Sequence, residues 1–303
     1  LKKFKKQNKT NTARINNQSF RVLGIDSSLK TQNMENLVLS EIWIYPIKSL
    51  GGISLDSALI TKRGLEHDRR WMLVDENSVF LTQRNFHEMA LLKVEMDKNG
   101  LIISHKTKSK GIIKIPFDAK PLKHLEVEIW DDKCDAYTVS SVANKWFSAV
   151  LNQKCRLVYM PEDSLRQLDR RYANEGDITG FSDGYPILIL GESALDNLNN
   201  RLDESVSMNR FRPNLVFKGG KPNEEDNWQE FEIGEATFLG AKPCARCVVT
   251  TINQDNGVSG KEPLKTLATY RKEGKKILFG QNVIPKSIGR QIHINDVIKV
   301  LKC

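Results

Sequence analysis

The sequence predicts an α+β, mostly β fold with a barrel-like or sandwich first half, and three observations carry that expectation. Short apolar runs rich in Val, Ile and Trp recur from Val38 to Leu301. Tight-turn signals such as Asp97-Lys98-Asn99-Gly100 separate them. Only a few segments repeat apolar residues at helical spacing. Many short strands joined by tight turns are the signature of such an architecture.

The first strand is expected within Leu37–Tyr45, ended by Pro46, and a short one follows at Ala58–Thr61. Hairpins are expected around Asp75–Ser78 and Asp97–Gly100, and a third connects Leu125–Trp130 to Ala136–Val139 through Asp131–Asp135. A helix capped by Ser140 or Ser141 then presents Val142, Trp146 and Val150 on one face, with Ala143 and Phe147 beside them. After the strand Cys155–Met160 comes a charged, aperiodic stretch, Pro161–Gly184, long enough to be a functional loop. The domain boundary is placed near residue 158.

The second half opens on the strand Tyr185–Leu190 and a helix for which Ser193-Ala194-Leu195-Asp196 resembles a capping box. A strand at Phe211–Phe217 and a hairpin around Gly234-Glu235 follow. Val248–Ile252, a β-branched run, reads as a strand, and Pro263 opens a helix running to about Arg271. Three short β segments finish the chain. No internal repeat is visible.

At 303 residues the chain can bury a sizeable core as one large or two medium domains. Its net charge of +9 points toward nucleic acid, but the distribution does not. Residues 1–33 hold eight basic residues and one acidic residue, so the tail carries +7 and the remainder only +2. The tail is polar, aperiodic and expected to be disordered. Its opening on Leu, with Met34 before the first strand, suggests a segment upstream of the true start or part of a precursor. A basic, acid-poor tail also suits an organelle targeting peptide, though the regular apolar face of one is missing. No stretch approaches the roughly 18 apolar residues of a membrane span. Five cysteines, an odd number at low density, fit a reduced, cytoplasmic compartment.

The most chemically loaded motif is Cys244-Ala245-Arg246-Cys247. A zinc site needs about four ligands, and no second pair exists. A thioredoxin-like pair opens a helix, whereas this one runs into an expected strand. Two small buried hydrophobes remain an open reading. So does a single thiolate on a soft metal held mainly by a cofactor, with Arg246 favouring the thiolate and contacting an anion. That last reading needs anion-binding groups elsewhere. Lys48 and Ser49 lie in a turn leading to Gly51-Gly52, Arg69 and Arg70 open a strand, and Arg210, Arg212 and Asn214 surround another.

Taken in order, these segments resemble the MOSC family, in its two-domain form with a MOSC N-terminal β-barrel domain. The pieces are IYPIKSLGG (44–52), GLEHDRRWMLVD (64–75), LTQR (81–84), FSDGYPILILGESALDNLN (181–199), NRFRPNLVF (209–217), KPCARCVVTTINQDNG (242–257) and KEPLKTLATYR (261–271). The sequence is most similar in kind to mitochondrial amidoxime-reducing components and their bacterial relatives. The resemblance implies a MOSC N-terminal β-barrel domain over 36–157 and a MOSC β-barrel domain with peripheral helices over 158–303. It implies a molybdenum cofactor (Mo-molybdopterin) whose metal is ligated by Cys247, with Cys244 structural. It also implies cofactor contacts from Lys48, Ser49, Arg69, Gly184, Arg212, Asn214 and Arg246, and a catalytic Asp183 near the metal. The implied reaction is oxygen-atom removal from N-hydroxylated or N-oxide-like small molecules. Electrons are expected from a separate donor protein, ferredoxin-like or cytochrome-type, since no iron–sulfur cysteine spacing is present. The alternative is a cofactor carrier or sulfur-relay protein without turnover. Arg166, Arg170 and Arg171 are placed, from position alone, at the substrate mouth.

Overall fold

The structure, a computed structural model, describes residues 36–303; the disorder expected of the tail lies outside them. Among the described residues the largest element is a nine-stranded sheet that draws on both halves of the chain. The strand Val38–Ile44 pairs antiparallel with Leu215–Lys218 on one side and with Ile53–Leu55 on the other. Leu215–Lys218 in turn lies parallel to Ile187–Gly191, which pairs with Lys276–Pro285. The first strands of the chain thus complete a sheet built mainly from its last third.

A bulge between Leu39 and Glu41 sets the buried residues of Val38–Ile44 on one face. Leu39, Ile42 and Ile44 are fully buried with Ile187, Leu215, Phe217 and Phe231 in one apolar cluster. Full burial of each such side chain contributes roughly 1.5–3 kcal/mol. A second cluster joins Ile47, Trp71, Leu92 and Leu101 to the helix Ser141–Leu151. The meander Leu92–Asp97, Gly100–His105 and Ile112–Pro116 supplies much of that cluster. A third sheet sets Trp71–Val74 beside Arg156–Tyr159 and the hairpin Lys123–Ile129/Asp132–Thr138.

Several local expectations shift. The Ser140 hydroxyl caps the first helix by accepting from the Ala143 amide at 3.1 Å. The buried face is Ala143, Phe147, Val150 and Leu151, while Val142 points to solvent, so the apolar stripe is rotated by about one residue. The second helix starts at Glu192, which places Ser193 inside the first turn, where its hydroxyl does not cap. The helix after Pro263 spans only Leu264–Leu267. The third hairpin turns at Trp130-Asp131, since the ladder extends back to the pair Asp132/Ile129; along it Cys134 and Ala136 face inward and Lys133 and Asp135 outward.

Gly240 shows how closely the strand carrying Cys244 packs against the Trp228 backbone. A Cβ there would lie 1.8 Å from the Trp228 carbonyl oxygen, so no larger residue fits without moving the backbone.

Candidate functional site

The end of Val38–Ile44 and the starts of Ile187–Gly191 and Leu215–Lys218 meet at one end of neighbouring strands inside the large sheet. Asn214 joins them. Its amide donates to the Trp43 carbonyl at 3.0 Å, its side-chain oxygen accepts from the Leu188 amide at 3.2 Å, and its own N–H donates to the Leu188 carbonyl. Loops leaving this end carry most of the residues singled out from the sequence.

One cleft is lined by Lys48, Ser49, Arg69, Asp183, Gly184 and Arg212. Asn214, Arg246, Cys244 and Cys247 also face it, so the residues that the resemblance gave as cofactor contacts, metal ligand and catalytic group border the same space, while Arg70 and Arg210 do not. Arg84 adds a further cation to the wall. Five cationic side chains therefore surround one carboxylate, Asp183, a balance suited to an anionic ligand.

Three lining residues, Ser49 (φ 67°), Arg69 (φ 47°) and Arg212 (φ 54°), hold left-handed backbone without being glycine. Such conformations are costly and persist where the surroundings fix them. Tyr45 does much of the fixing. The Arg69 and Arg212 guanidinium carbons lie 4.3 and 4.2 Å from its ring centroid. Its hydroxyl donates to the Pro213 carbonyl at 3.1 Å. Burial pushes the phenol up to about 12, so it stays neutral, and burial lowers Arg212 to about 10, so it stays charged near neutrality. Behind Arg69, the buried Asp68 takes its guanidinium at 2.6 and 2.5 Å and accepts from the Tyr45 amide at 2.7 Å.

Lys48 is buried, donating to the Phe181 carbonyl at 2.9 Å and to Asp183 at 2.5 Å. Burial lowers its ammonium to about 8, against the pull of Asp183. At Asp183, desolvation pushes the carboxyl up, but Lys48 and then Arg84 outweigh it and hold the group well below the usual carboxylate range. The Asp183 side chain is nevertheless 61% exposed, facing the open cleft.

The two cysteines have different partners. The Arg84 guanidinium donates to Cys247 Sγ at 3.1 Å and lies 3.6 Å from Asp183. Arg246 does not serve Cys247, contrary to expectation. It reaches Cys244 Sγ at 3.2 Å and the Phe211 carbonyl at 2.6 Å. Arg246 lies just past the strand Ala236–Ala245, whose register shifts between Pro243 and Ala245, and the Phe211 carbonyl holds its guanidinium on the Cys244 side. Past Cys247 the chain turns into a short 3-10 helix, Val248–Thr251, instead of the expected strand. The Thr250 and Thr251 hydroxyls donate to the Cys247 and Val248 carbonyls, favouring a turn over a ladder.

The arginines of the 161–184 loop also differ from expectation. Arg166 is buried and staples the loop, donating to Asp132 and to the Gly180, Ser182 and Asp183 carbonyls. Arg170 and Arg171 pair on the surface with Glu175 and Asp169. Reading the sequence missed Arg84 and Trp130. The first lies in the LTQR segment and carries no local signal of its partner; the second stands at a turn whose position was misjudged. Trp130 lies against Arg84, 4.4 Å from guanidinium carbon to ring centroid, and its indole N–H donates to Asp183 at 3.3 Å.

The arrangement is that of a mostly β protein with a cation-lined cleft and a thiol in its wall. Comparison with known proteins gives the family. The MOSC N-terminal beta barrel domain matches residues 36–154, and the MOSC domain matches residues 176–299. The chain is 32% identical over 282 residues to Mitochondrial amidoxime-reducing component 1 of Mus musculus, covering 87% of this chain and 82% of that one. The Homo sapiens protein of the same name is 31% identical, with 87% and 82% covered. A Molybdenum cofactor sulfurase of Oryza sativa subsp. japonica is 31% identical over 84% of this chain, which spans 33% of that longer protein. The chain belongs to the MOSC-domain family that includes these amidoxime-reducing components. Among solved structures, YiiM from Geobacillus stearothermophilus superposes with a TM-score of 0.30 at 14% identity, over 39% of this chain and 55% of that one, too little to bear on the argument.

The cytoplasmic expectation is corrected by these relatives, several of which are named as mitochondrial proteins. Cysteine usage reports a reducing environment and does not distinguish between compartments that share one. Among the described residues no helix is long and apolar enough to cross a membrane.

Proposed function

We propose that this protein holds a molybdenum cofactor in the cleft, with Cys247 as the metal ligand, and reduces N-hydroxylated or N-oxide-like small molecules. The observation that carries the reading is the convergence of five cationic side chains and the Cys247 sulfur on one space. Two further features fit a bulky anion there. A Cβ built on Gly184 meets no atom within 4 Å, so the glycine leaves room at the wall. The Arg246 Nε is buried without a partner.

In this reading Lys48, Ser49, Arg69, Arg212, Asn214 and Arg246 hold the cofactor, and the segments 36–157 and 158–303 are its two domains. The bound cofactor would supply the two-electron chemistry that removes oxygen. Reduction of an N–OH group breaks the N–O bond and releases water, consuming two electrons and two protons. A separate electron-donor protein, ferredoxin-like or cytochrome-type, delivers the electrons. Arg84 holds the Cys247 sulfur and the Asp183 carboxylate together. Lys48 Nζ, still charged at neutral pH although burial lowers it to about 8, donates to Asp183 and holds that carboxylate in place. Asp183, exposed and ionised, is the hydrogen-bond acceptor that meets the substrate.

The test is reduction of benzamidoxime by protein purified from a cofactor-competent host, with a chemical electron donor. Turnover by the wild type and none by Cys247→Ala is the expected result. Bound molybdenum with no turnover of any N-oxygenated compound favours a carrier or sulfur-relay role, a reading that similarity to the cofactor sulfurase keeps in view.

A further inference from the structure

A second recess adjoins the cleft across the wall Asp183-Gly184-Tyr185, which lines both spaces. It is also lined by Trp130, Asp131, Asp132, Leu168, Asp169 and Lys242. Trp130 is unusual in three respects. It occupies a two-residue hairpin turn at φ 55°, a conformation that bulky residues rarely adopt. Its ring already meets Arg84, and Phe80 packs on it edge-to-face at 4.8 Å, yet 39% of the residue stays exposed. Its indole N–H is tied to Asp183, which in turn lies beside the arginine that touches Cys247.

A large aromatic side chain held in strained backbone, anchored at its polar atom and left open beside a cleft is a ready stacking platform. We propose that Trp130 is a specificity-determining residue: it receives the planar, aromatic part of the substrate in the outer recess, while the N–O group enters the cleft past Asp183. This rests on the reductase reading above. The neighbourhood suits a flat group. Of the lining charges, Asp132 pairs with Arg166, Asp169 with Arg171 and Asp183 with Lys48, which leaves Asp131 and Lys242 beside the open aromatic surface. Lys242 Nζ is itself held over the Tyr172 and Tyr185 rings, 4.4 and 5.0 Å from their centroids.

The experiment compares the wild type with Trp130→Leu and Trp130→Phe, each first shown by circular dichroism to fold and by metal analysis to carry equal molybdenum. Calorimetric binding of benzamidoxime without an electron donor, and of acetamidoxime as the small aliphatic control, gives affinities independent of turnover. Reduction of both compounds then gives kcat and KM. The expected result is that Trp130→Leu weakens benzamidoxime binding about tenfold, the size of one stacking contact. The ratio of kcat/KM for benzamidoxime over acetamidoxime should fall about as much, through KM, and Trp130→Phe should restore most of both. An unchanged ratio in Trp130→Leu, an equal loss for both compounds, or no binding of benzamidoxime by the wild type overturns the proposal. Binding that weakens in Trp130→Leu with no turnover in any protein upholds Trp130 as an aromatic-binding residue and sinks the reductase reading instead.

Discussion

Arg84 and Cys247 are 163 residues apart in sequence and 3.1 Å apart in space. Nothing local to either residue announces that contact, which is why the order of motifs led to Lys48, Arg69, Arg212 and Cys247 but not to Arg84. The same limit explains the reassignment of Arg246. Adjacency in sequence placed it beside Cys247, whereas the fold turns its guanidinium to Cys244 and the Phe211 carbonyl. Arg84 also lies against Trp130 and faces Asp183, so one side chain organises three groups of the cleft. Arg84→Ala should therefore lower benzamidoxime turnover by roughly tenfold to a hundredfold, the range of an interaction of about 1.4–2.7 kcal/mol. Because the side chain is partly exposed and holds no core strand, the unfolding midpoint should move little. A large drop in midpoint with normal turnover in the surviving folded fraction would show a merely structural role.

At the scale of elements, turns with explicit chemistry were the most legible. The Asp97–Gly100 hairpin and the Ser140 cap follow directly from residue type. Val248–Thr251 was misread because β-branched residues favour strands only when a partner strand is available, and here the threonine hydroxyls satisfy nearby carbonyls instead. The turn Glu224–Asn227 held a different surprise. Glu225 is fully buried under the large sheet, where one carboxyl oxygen has no partner. Burial, helped by the neighbouring Asp226 charge, pushes its pKa from 4.5 up to about 7. A carboxyl raised in the folded state binds more protons there than in the unfolded chain. Its contribution is complete below about 4.5 and is lost as pH rises through about 7. Glu225→Gln should flatten the pH dependence of stability in that window and stabilise the protein at about pH 8 by on the order of 3 kcal/mol. Urea unfolding of both proteins across the window measures it; parallel pH profiles would refute the assignment.

For the whole molecule, the mostly β character was readable from periodicity, but the pairing of distant strands was not. The sequence places Val38–Ile44 in a first half, and the structure seats it against Leu215–Lys218, because its buried face matches that sheet's apolar surface. A fragment of residues 158–303 loses that neighbour and exposes the edge of Leu215–Lys218. It should show no cooperative urea transition by circular dichroism, whereas residues 36–303 should; a cooperative transition in the short fragment would contradict the shared-sheet account. The same crossing brings Lys48, from the first strand's exit, to the wall that holds Cys247. The central claim is that this wall holds molybdenum through one of two cysteines. Molybdenum per chain, measured on wild type, Cys247→Ala and Cys244→Ala from one cofactor-competent host, tests it most directly. The account predicts near-stoichiometric metal in the wild type and Cys244→Ala, and a large loss in Cys247→Ala. Equal metal in all three, or none in the wild type, would contradict it.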